Sequence, residues 1–328
     1  MSKPKFAMYW GASCGGCDIA VLNIHEKILE VDETFEIVLW PVAVDAKYAD
    51  VEALPDGAIT LTLFNGGIRN EENEHMARLL RRKSQILVAF GSCATEGCVP
   101  ALANLYPRET LFETIYAGPS TENPEDRRPL ERAAVPEGEL HLPKFYPTLR
   151  TLDQVVEVDY IIPGCPPESR QIAAVLDVVF AALRGEAELP PKGSVLGAGI
   201  STVCEECPRK RDVKKIRSFR RIQDGPVDPE ICLLEQGILC AGPATRDGCG
   251  ALCPLAGAAC IGCYGPSEGV ADYGARLMSA VASVIDSRDP EEIERILDGI
   301  PDPAGAFYRF NLAGSLLRRG RWTMDGRR

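Results

Sequence analysis

The chain reads as an α/β protein. It has a doubly wound parallel sheet over residues 1–188, a linker over 189–199, and a loop- and helix-rich domain over 200–328 organised around cysteines. Three observations carry this reading. Up to about Leu189 short apolar runs alternate with amphipathic stretches, the pattern of parallel strands joined by helices. Leu189 to Gly199 (LPPKGSVLGAG) has linker composition. Beyond it strand-like runs nearly vanish and cysteine density rises sharply. A length of 328 residues accommodates two such units, each large enough to bury its own core.

Taken in order, the expected strands are Lys5 to Tyr9, Glu36 to Trp40, Ala58 to Phe64, Gln85 to Phe90 and Val155 to Ile162. Helical spacing covers Cys17 to Leu29 and Glu71 to Arg82, and Pro167 to Arg184 forms a longer helix with proline in its first turn. In such a sheet, ligands bind where the carboxyl ends of the strands meet their loops. Tyr106 to Arg150, with its prolines and little periodicity, breaks the alternation. It reads as a partner-facing surface or, equally, as a solvated excursion. In the second domain Asp228-Pro229, Asp289-Pro290 and Asp302-Pro303 each place a capping acid before a first-turn proline, marking three helix starts.

Composition excludes several classes. The net charge of −11 opposes a nucleic-acid role, because phosphate binding needs a basic surface. No run of eighteen apolar residues exists, so no membrane span is expected, and Met1 to Trp10 lacks the regions of a signal peptide. A cytoplasmic location is the expectation, in which the 13 cysteines stay reduced, and reduced clustered cysteines usually mean metal.

Cys14 and Cys17 form a C-x2-C directly after the first strand, Cys93 follows the strand ending at Phe90, and Cys165 follows the strand ending near Ile162. These four therefore sit at one edge of one parallel sheet. Gly91-Ser92-Cys93 and Gly164-Cys165-Pro166 let the backbone turn closely around a bulky ligand. Eight cysteines follow the linker. One group is Cys204, Cys207, Cys232 and Cys240, with Cys232 expected on a short helix after Pro229 and Cys240 just past Gly237. The other is Cys249, Cys253, Cys260 and Cys263. Four thiolates also satisfy a closed zinc site, so the eight later cysteines alone leave zinc open. The first set differs, because a doubly wound sheet already has a core and needs no metal staple. A cluster there points to electron transfer. A molecule of this size is about 50 Å across, so one redox centre does not serve both faces whereas three spaced centres do.

These residues resemble a known family, the small subunit of nickel-iron hydrogenases, in particular the cytosolic methyl-viologen-reducing type associated with heterodisulfide reductase. The motifs are Trp10-Gly-Ala-Ser-Cys-Gly-Gly-Cys17, Ala89-Phe-Gly-Ser-Cys-Ala-Thr-Glu-Gly-Cys98, Pro163-Gly-Cys-Pro-Pro167, Cys204-Glu-Glu-Cys-Pro-Arg-Lys-Arg211 and Cys260-Ile-Gly-Cys-Tyr-Gly-Pro266. Asn65-Gly-Gly-Ile-Arg69, Glu74-His-Met76 and Leu234-Glu-Gln-Gly-Ile-Leu-Cys240 add to it, and the likeness runs to about Ile285. The resemblance implies a flavodoxin-like domain followed by an iron-sulfur domain. It implies a proximal cluster on Cys14, Cys17, Cys93 and Cys165, a medial cluster on the Cys249 group and a distal cluster on the Cys204 group. Many members carry histidine at the position of Cys204 and several a noncysteine residue at that of Cys253, where a 3Fe-4S cluster results. With cysteine at both, three 4Fe-4S clusters are expected. The implied partners are a nickel-iron large subunit, which holds the catalytic centre, and an iron-sulfur acceptor subunit with a heterodisulfide reductase-like flavoprotein.

Oxygen-tolerant relatives pair an extra cysteine at the position of Cys98 with one at that of Gly16. The second is missing here, so Cys98 reads as a structural cysteine. His25, His75 and His141 lie outside the cysteine motifs, and Glu74 reads as an exposed helix acid. The run Arg209, Lys210, Arg211, Lys214, Lys215, Arg217, Arg220 and Arg221 reads as a solvated face or as a guide for an acidic electron-transfer partner. Arg318, Arg319, Arg321, Arg327 and Arg328 read as a solvated tail. Two competing functions are the related subunit of a quinone-reducing, energy-converting complex and a zinc-stapled scaffold. The former carries adjacent cysteines in its first motif and lacks the second cluster domain, which Cys14-Gly-Gly-Cys17 and the later cysteines oppose.

Overall fold

The computed structural model describes residues 3–213 and 215–317. Lys214 and the arginines Arg318, Arg319, Arg321, Arg327 and Arg328 lie outside them. In the first half the elements are β1 (Lys5–Trp10), α1 (Gly16–Leu22), α2 (Lys27–Thr34), β2 (Glu36–Leu39), α3 (Tyr48–Ala53), β3 (Ile59–Asn65), β4 (Ile68–Asn70), α4 (Glu71–Lys83), β5 (Ser84–Phe90) and α5 (Ser92–Thr95). There follow α6 (Arg108–Tyr116), β6 (Arg132–Val135), β7 (Gly138–His141), β8 (Phe145–Arg150), β9 (Tyr160–Ile162) and α7 (Ser169–Leu183). Among the described residues the second half holds the helices α8 (Val203–Glu206), α9 (Leu252–Leu255), α10 (Tyr273–Val284), α11 (Pro290–Leu297) and α12 (Pro303–Tyr308), with short 3-10 turns between them.

The main sheet runs β2-β1-β3-β5-β9, every pair parallel. Counting only its own strands, that order is 2-1-3-4-5, the flavodoxin-like one. Alternation along each strand explains why both faces need cover. Phe6 and Met8 of β1 with Val88 and Phe90 of β5 pack under α1 and α7, whereas Ala7, Tyr9, Leu87 and Ala89 pack under α3 and α4. A third core gathers Val203, Leu233, Tyr273, Leu277 and Phe307 of the second half, and takes in Ala101 and Leu149 of the first.

Several expectations change. The helix expected over Cys17 to Leu29 is broken into α1 and α2, since Asn23 to Glu26 turn and His25 takes φ +57°. The strand expected from Val155 shortens to β9, with a 3-10 turn at Leu152–Gln154 before it. The irregular segment Tyr106 to Arg150 contains α6, an antiparallel β6–β7 hairpin, and β8, which pairs antiparallel with β4. Among the residues read as linker, Ser194 to Leu196 run beside β9, with the N–H of Leu196 donating to Ile161 O at 2.8 Å. Asp289 and Asp302 do cap α11 and α12. Asp228 starts no helix: its carboxylate accepts from the N–H groups of Glu230 and Ile231, a local turn that leaves Cys232 in a loop.

Asp159 fixes the edge strand. Fully buried, its carboxylate takes Arg81 at 2.6 Å, Lys192 at 2.6 Å and the N–H of Leu87 at 2.8 Å, while its own N–H donates to Leu87 O. Burial works against the charge, but these donors outweigh it and hold the carboxyl below its ordinary range. Asp159→Ala leaves the buried N–H of Leu87 without its acceptor and takes the carboxylate from Arg81 and Lys192, and is expected to cost about 2 kcal/mol, read as a lower thermal midpoint. In the native protein this contribution is complete above the ordinary carboxylate pKa of about 3.9. It is lost as pH falls through the lowered folded-state value.

Candidate iron-sulfur centres

Each loop of the first site is pinned by backbone geometry. After β1, the N–H of Gly11 donates to Asn65 O at 2.7 Å, and Ala12 and Gly67 exchange two bonds, so the Cys14 loop lies on the loop after β3. Gly15 turns into α1 with φ +78°, which puts Cys17 in the helix's first turn. After β5, the N–H of Gly91 donates to Ile162 O and that of Ser92 to Gly164 O, both at 2.8 Å. These two bonds lay the Cys93 loop against the Cys165 loop. Gly91 is needed twice over: its φ is +80°, and a Cβ there would stand 2.3 Å from Cys17 Sγ.

The structure thus brings Cys14, Cys17, Cys93 and Cys165 to one edge, as the strand endings imply. It also brings Cys98, read from sequence as a packing residue outside the site. Cys98 is buried, with its Sγ 3.5 Å from Cys165 Sγ and its N–H donating to Phe310 O. Burial pushes the Cys17 thiol well up, and the neighbouring Cys165, Asp18, Cys14 and Cys98 add to the rise. Asp18, buried beside Cys17, accepts from Trp40 Nε1 at 3.1 Å and Asn65 Nδ2 at 2.8 Å.

The eight later cysteines fall into the two groups of four that their order implies, each lining its own cavity. Cys204, Cys207, Cys232 and Cys240 surround about 480 Å3, and Cys249, Cys253, Cys260 and Cys263 about 540 Å3. Cys232 reaches its group because its N–H donates to Lys210 O at 2.8 Å and that of Lys210 to Glu230 O at 2.7 Å. A Cβ at Gly242 would stand 3.1 Å from Cys204 Sγ, so this chain passes close behind the thiols. Burial, then Cys240, pushes the Cys204 thiol up to about 12. Burial, then Cys249, Cys253 and Cys165, does the same to Cys263. Deprotonating such thiols together requires a cation to take up the charge.

The sets are joined to one another. Ser92 Oγ donates to Cys263 O between the first and the Cys249 set, and the N–H of Ala241 donates to Cys260 O at 2.8 Å between the Cys249 and Cys204 sets. Sequence reading missed two residues that build these sites. Glu206 accepts from the N–H groups of Gly248 and Gly250 at 2.8 and 3.0 Å, holding the Cys249 loop. Arg209 is buried, donating to Pro254 O at 2.9 Å, Asp228 O at 2.6 Å and Ile231 O at 3.0 Å. Their positions, within and just after Cys204-Glu-Glu-Cys207, are the signal that marks them.

The donor chemistry fits a polynuclear group. Four sulfurs around one zinc stand about 3.8 Å apart. The four cysteines of each later set line a cavity of about 480 or 540 Å3, room for a group larger than a single ion.

A family profile described as NADH ubiquinone oxidoreductase, 20 Kd subunit, matches residues 14–179. The iron-sulfur subunit of the F420-non-reducing hydrogenase from Archaeoglobus profundus is 41% identical over 96% of this chain and 98% of its own. Its counterpart in the vhu F420-non-reducing hydrogenase from Methanocaldococcus jannaschii is 39% identical over 96% and 97%. The chain belongs to the family of these F420-non-reducing hydrogenase subunits. It is therefore part of an oxidoreductase. The profile stops before Cys204, so it covers the first cysteine set alone, whereas likeness to the hydrogenase relatives continues through both later sets. A [NiFeSe] hydrogenase structure from Desulfovibrio vulgaris Hildenborough covers 82% of this chain and 95% of its own, at TM-score 0.51 and 16% identity, and shows a shared fold.

Residues outside the cysteine sets take structural roles. Glu74 pairs with Arg78 at 2.6 Å and Arg150 at 2.5 Å, which hold its carboxyl down at about 2. His75 and His141 lie on the surface beside Glu52 and Glu139. Gly91→Ala, whose Cβ would stand 2.3 Å from Cys17 Sγ, is expected to distort the first set and lower the metal content of anaerobically prepared protein, read by elemental analysis; an unchanged content would show that the site tolerates the side chain.

Proposed function

We propose that this chain is the electron-transfer subunit of a nickel-iron hydrogenase and holds three 4Fe-4S clusters. The observation that carries the proposal is the succession of three joined four-cysteine sets, from one edge of the sheet into the second half. Cys14, Cys17, Cys93 and Cys165 hold the proximal cluster, Cys249, Cys253, Cys260 and Cys263 the medial one, and Cys204, Cys207, Cys232 and Cys240 the distal one. When bound, the clusters supply one-electron carriers. The polypeptide holds their thiolates, excludes water from the buried Cys17, Cys93, Cys240 and Cys260, and closes the gaps between sets with the bonds at Ser92 and Ala241.

Cys14 and Cys165 are exposed, so the proximal end faces outward. That end is where we place the nickel-iron large subunit, which contains the site of hydrogen cleavage. Electrons leave at the distal end toward an iron-sulfur acceptor subunit and a heterodisulfide reductase-like flavoprotein. We place the complex in the cytoplasm; no helix among the described residues is long and apolar enough to cross a membrane. Relation to the quinone-reducing complex is real at the first domain, where the family profile matches, but the two later sets favour the hydrogenase reading.

Part of the basic run is taken up by the fold. Lys210 pairs with Glu230 at 2.9 Å, Lys215 and Arg217 share Asp286 at 3.2 Å, and Arg209 and Arg220 donate to backbone carbonyls. Backbone carbonyls do not neutralise Arg209 and Arg220, and Lys215 and Arg217 share one carboxylate, so net positive charge remains on this face for long-range attraction. Reversing Lys215 and Arg217 to glutamate is accordingly expected to slow reduction of the protein acceptor and weaken its salt dependence, as measured by stopped-flow kinetics at two salt concentrations; unchanged rates would make the run a solvated face.

Anaerobically prepared protein should contain about 12 iron atoms per chain, and Cys98→Ala should retain them because the four-thiolate set is complete without it. About 4 iron atoms accompanied by zinc would replace the relay with a scaffold. Loss of iron in Cys98→Ala would make Cys98 a ligand.

A further inference from the structure

The excursion from Tyr106 to Arg150, which the proposed function leaves unused, contains a hairpin with two unlike faces. Opposed residues of an antiparallel pair share a face, and successive residues alternate. Ala133 lies opposite Leu140 and Val135 opposite Gly138, and the N–H of Leu142 donates to Glu131 O at 3.0 Å. Ala133, Val135, Leu140 and Leu142 therefore share one face, with Glu131 at its open end. The other face carries charge: Arg132 lies opposite His141, and Glu139 pairs with the two at 3.6 and 2.8 Å.

The large side chains of the apolar face are open. Leu140 and Leu142 are 58% and 52% exposed, and none of the four apolar residues joins the hydrophobic cores of the described residues. Ile115 of α6, a helix that buries no residue, and Leu130 are exposed as well. A two-stranded hairpin is marginal by itself in water and is stabilised by burying an apolar face. A merely solvated excursion has no use for leucines aligned on one side.

Position on the molecule selects the occupant. The excursion returns through β8, whose Arg150 lies opposite Ile68, and the preceding Gly67 exchanges two bonds with Ala12 of the Cys14 loop. A Cβ at Gly67 would stand 2.6 Å from Leu149 Cδ2 and one at Gly97 3.3 Å from it, so β8 packs against the loops of both Cys14 and Cys93. At the other end of β8 the N–H of Glu71 donates to Lys144 O at 3.0 Å, two residues from Leu142. With about 10 Å from Leu142 to Phe145 and about 17 Å along β8, the apolar face stands within roughly 30 Å of the Cys14 loop. Permanent heteromeric interfaces bury about 2,000 to 5,000 Å2 in total, a patch about 35 to 55 Å across on each partner. An interface that covers the exposed Cys14 and Cys165 spans this distance.

We infer that the β6–β7 hairpin is a docking arm for the nickel-iron large subunit, which covers Ala133, Val135, Leu140 and Leu142 and extends the interface outward from the Cys14 edge. The inference rests on the reading of that edge as the large-subunit face.

The test uses the purified complex of this chain with its large subunit. Leu140→Glu with Leu142→Glu is expected to raise the dissociation constant at least about thirtyfold, measured by mass photometry on dilution, because each places a charge in an apolar contact. Arg132→Ala with His141→Ala, on the opposite face, should stay within about twofold of wild type. Iron content should be unchanged in both pairs. A second measurement leaves the apolar face in place: a photo-crosslinking side chain at Leu140 should capture the large subunit, and one at His141 should not. If the glutamate pair loses iron, the cross-link decides. An unchanged dissociation constant in the iron-loaded glutamate pair, or capture at Leu140 of a second copy of this chain, of the acceptor subunit or of nothing, overturns the inference and leaves the hydrogenase reading standing. Wild-type chain that purifies without a large subunit overturns that reading, and the docking arm with it.

Discussion

Two backbone hydrogen bonds, Gly91 N–H to Ile162 O and Ser92 N–H to Gly164 O, hold together what the rest of the molecule is arranged around. They exist because β5 and β9 are parallel neighbours in register, Phe90 opposite Ile162, so both strands end at the same level. Parallel pairing places every following loop at one edge, and the two bonds then bring Cys93 and Cys165 side by side. Asp159 secures the same pair of strands from the other end. A change in this register would separate the cysteines of the first set before any side chain nearby was altered.

The second half solves the same problem without a sheet. Its ligand loops are held by single side chains that spend their hydrogen bonds on backbone atoms. Arg209 serves three carbonyls, Glu206 two N–H groups, and Asp228 a tight turn. Such groups suit a region with little regular structure, because every buried backbone polar atom left by an irregular chain needs a partner. What resembles a basic run in one dimension is thus in part a set of structural clamps, with Arg209 and Arg220 donating to backbone carbonyls.

The sheet was legible in the sequence because its strands alternate cleanly between two covered faces, as Phe6 and Met8 do against Ala7 and Tyr9. The cysteine sets were legible because their order follows the strand endings and then two compact loops. Other features depend on information that spacing does not hold. The apolar period runs on through Ile24 and Ile28, so nothing local announces the break at His25. β8 carries Pro147 and finds β4 far back along the chain, a pairing set by tertiary packing. Asp-Pro opens a helix at Asp289 and Asp302 but closes an Asx turn at Asp228, since one carboxylate geometry serves both. Cys98 was assigned to packing by the absence of a partner at Gly16, and only the fold puts its thiol against Cys165.

The N–H of Cys98 finds its acceptor at Phe310, Gly97 packs against Ala313, and Gln154 Nε2 donates to Ala313 O at 2.9 Å. The earliest cysteine set is therefore walled by almost the last described turn of the polypeptide. On a ribosome, the sheet that carries Cys14, Cys93 and Cys165 emerges long before the segment that covers one side of that set. Arrival of Phe310 then covers Cys93 and Cys98, while Cys14 and Cys165 stay exposed in the finished fold.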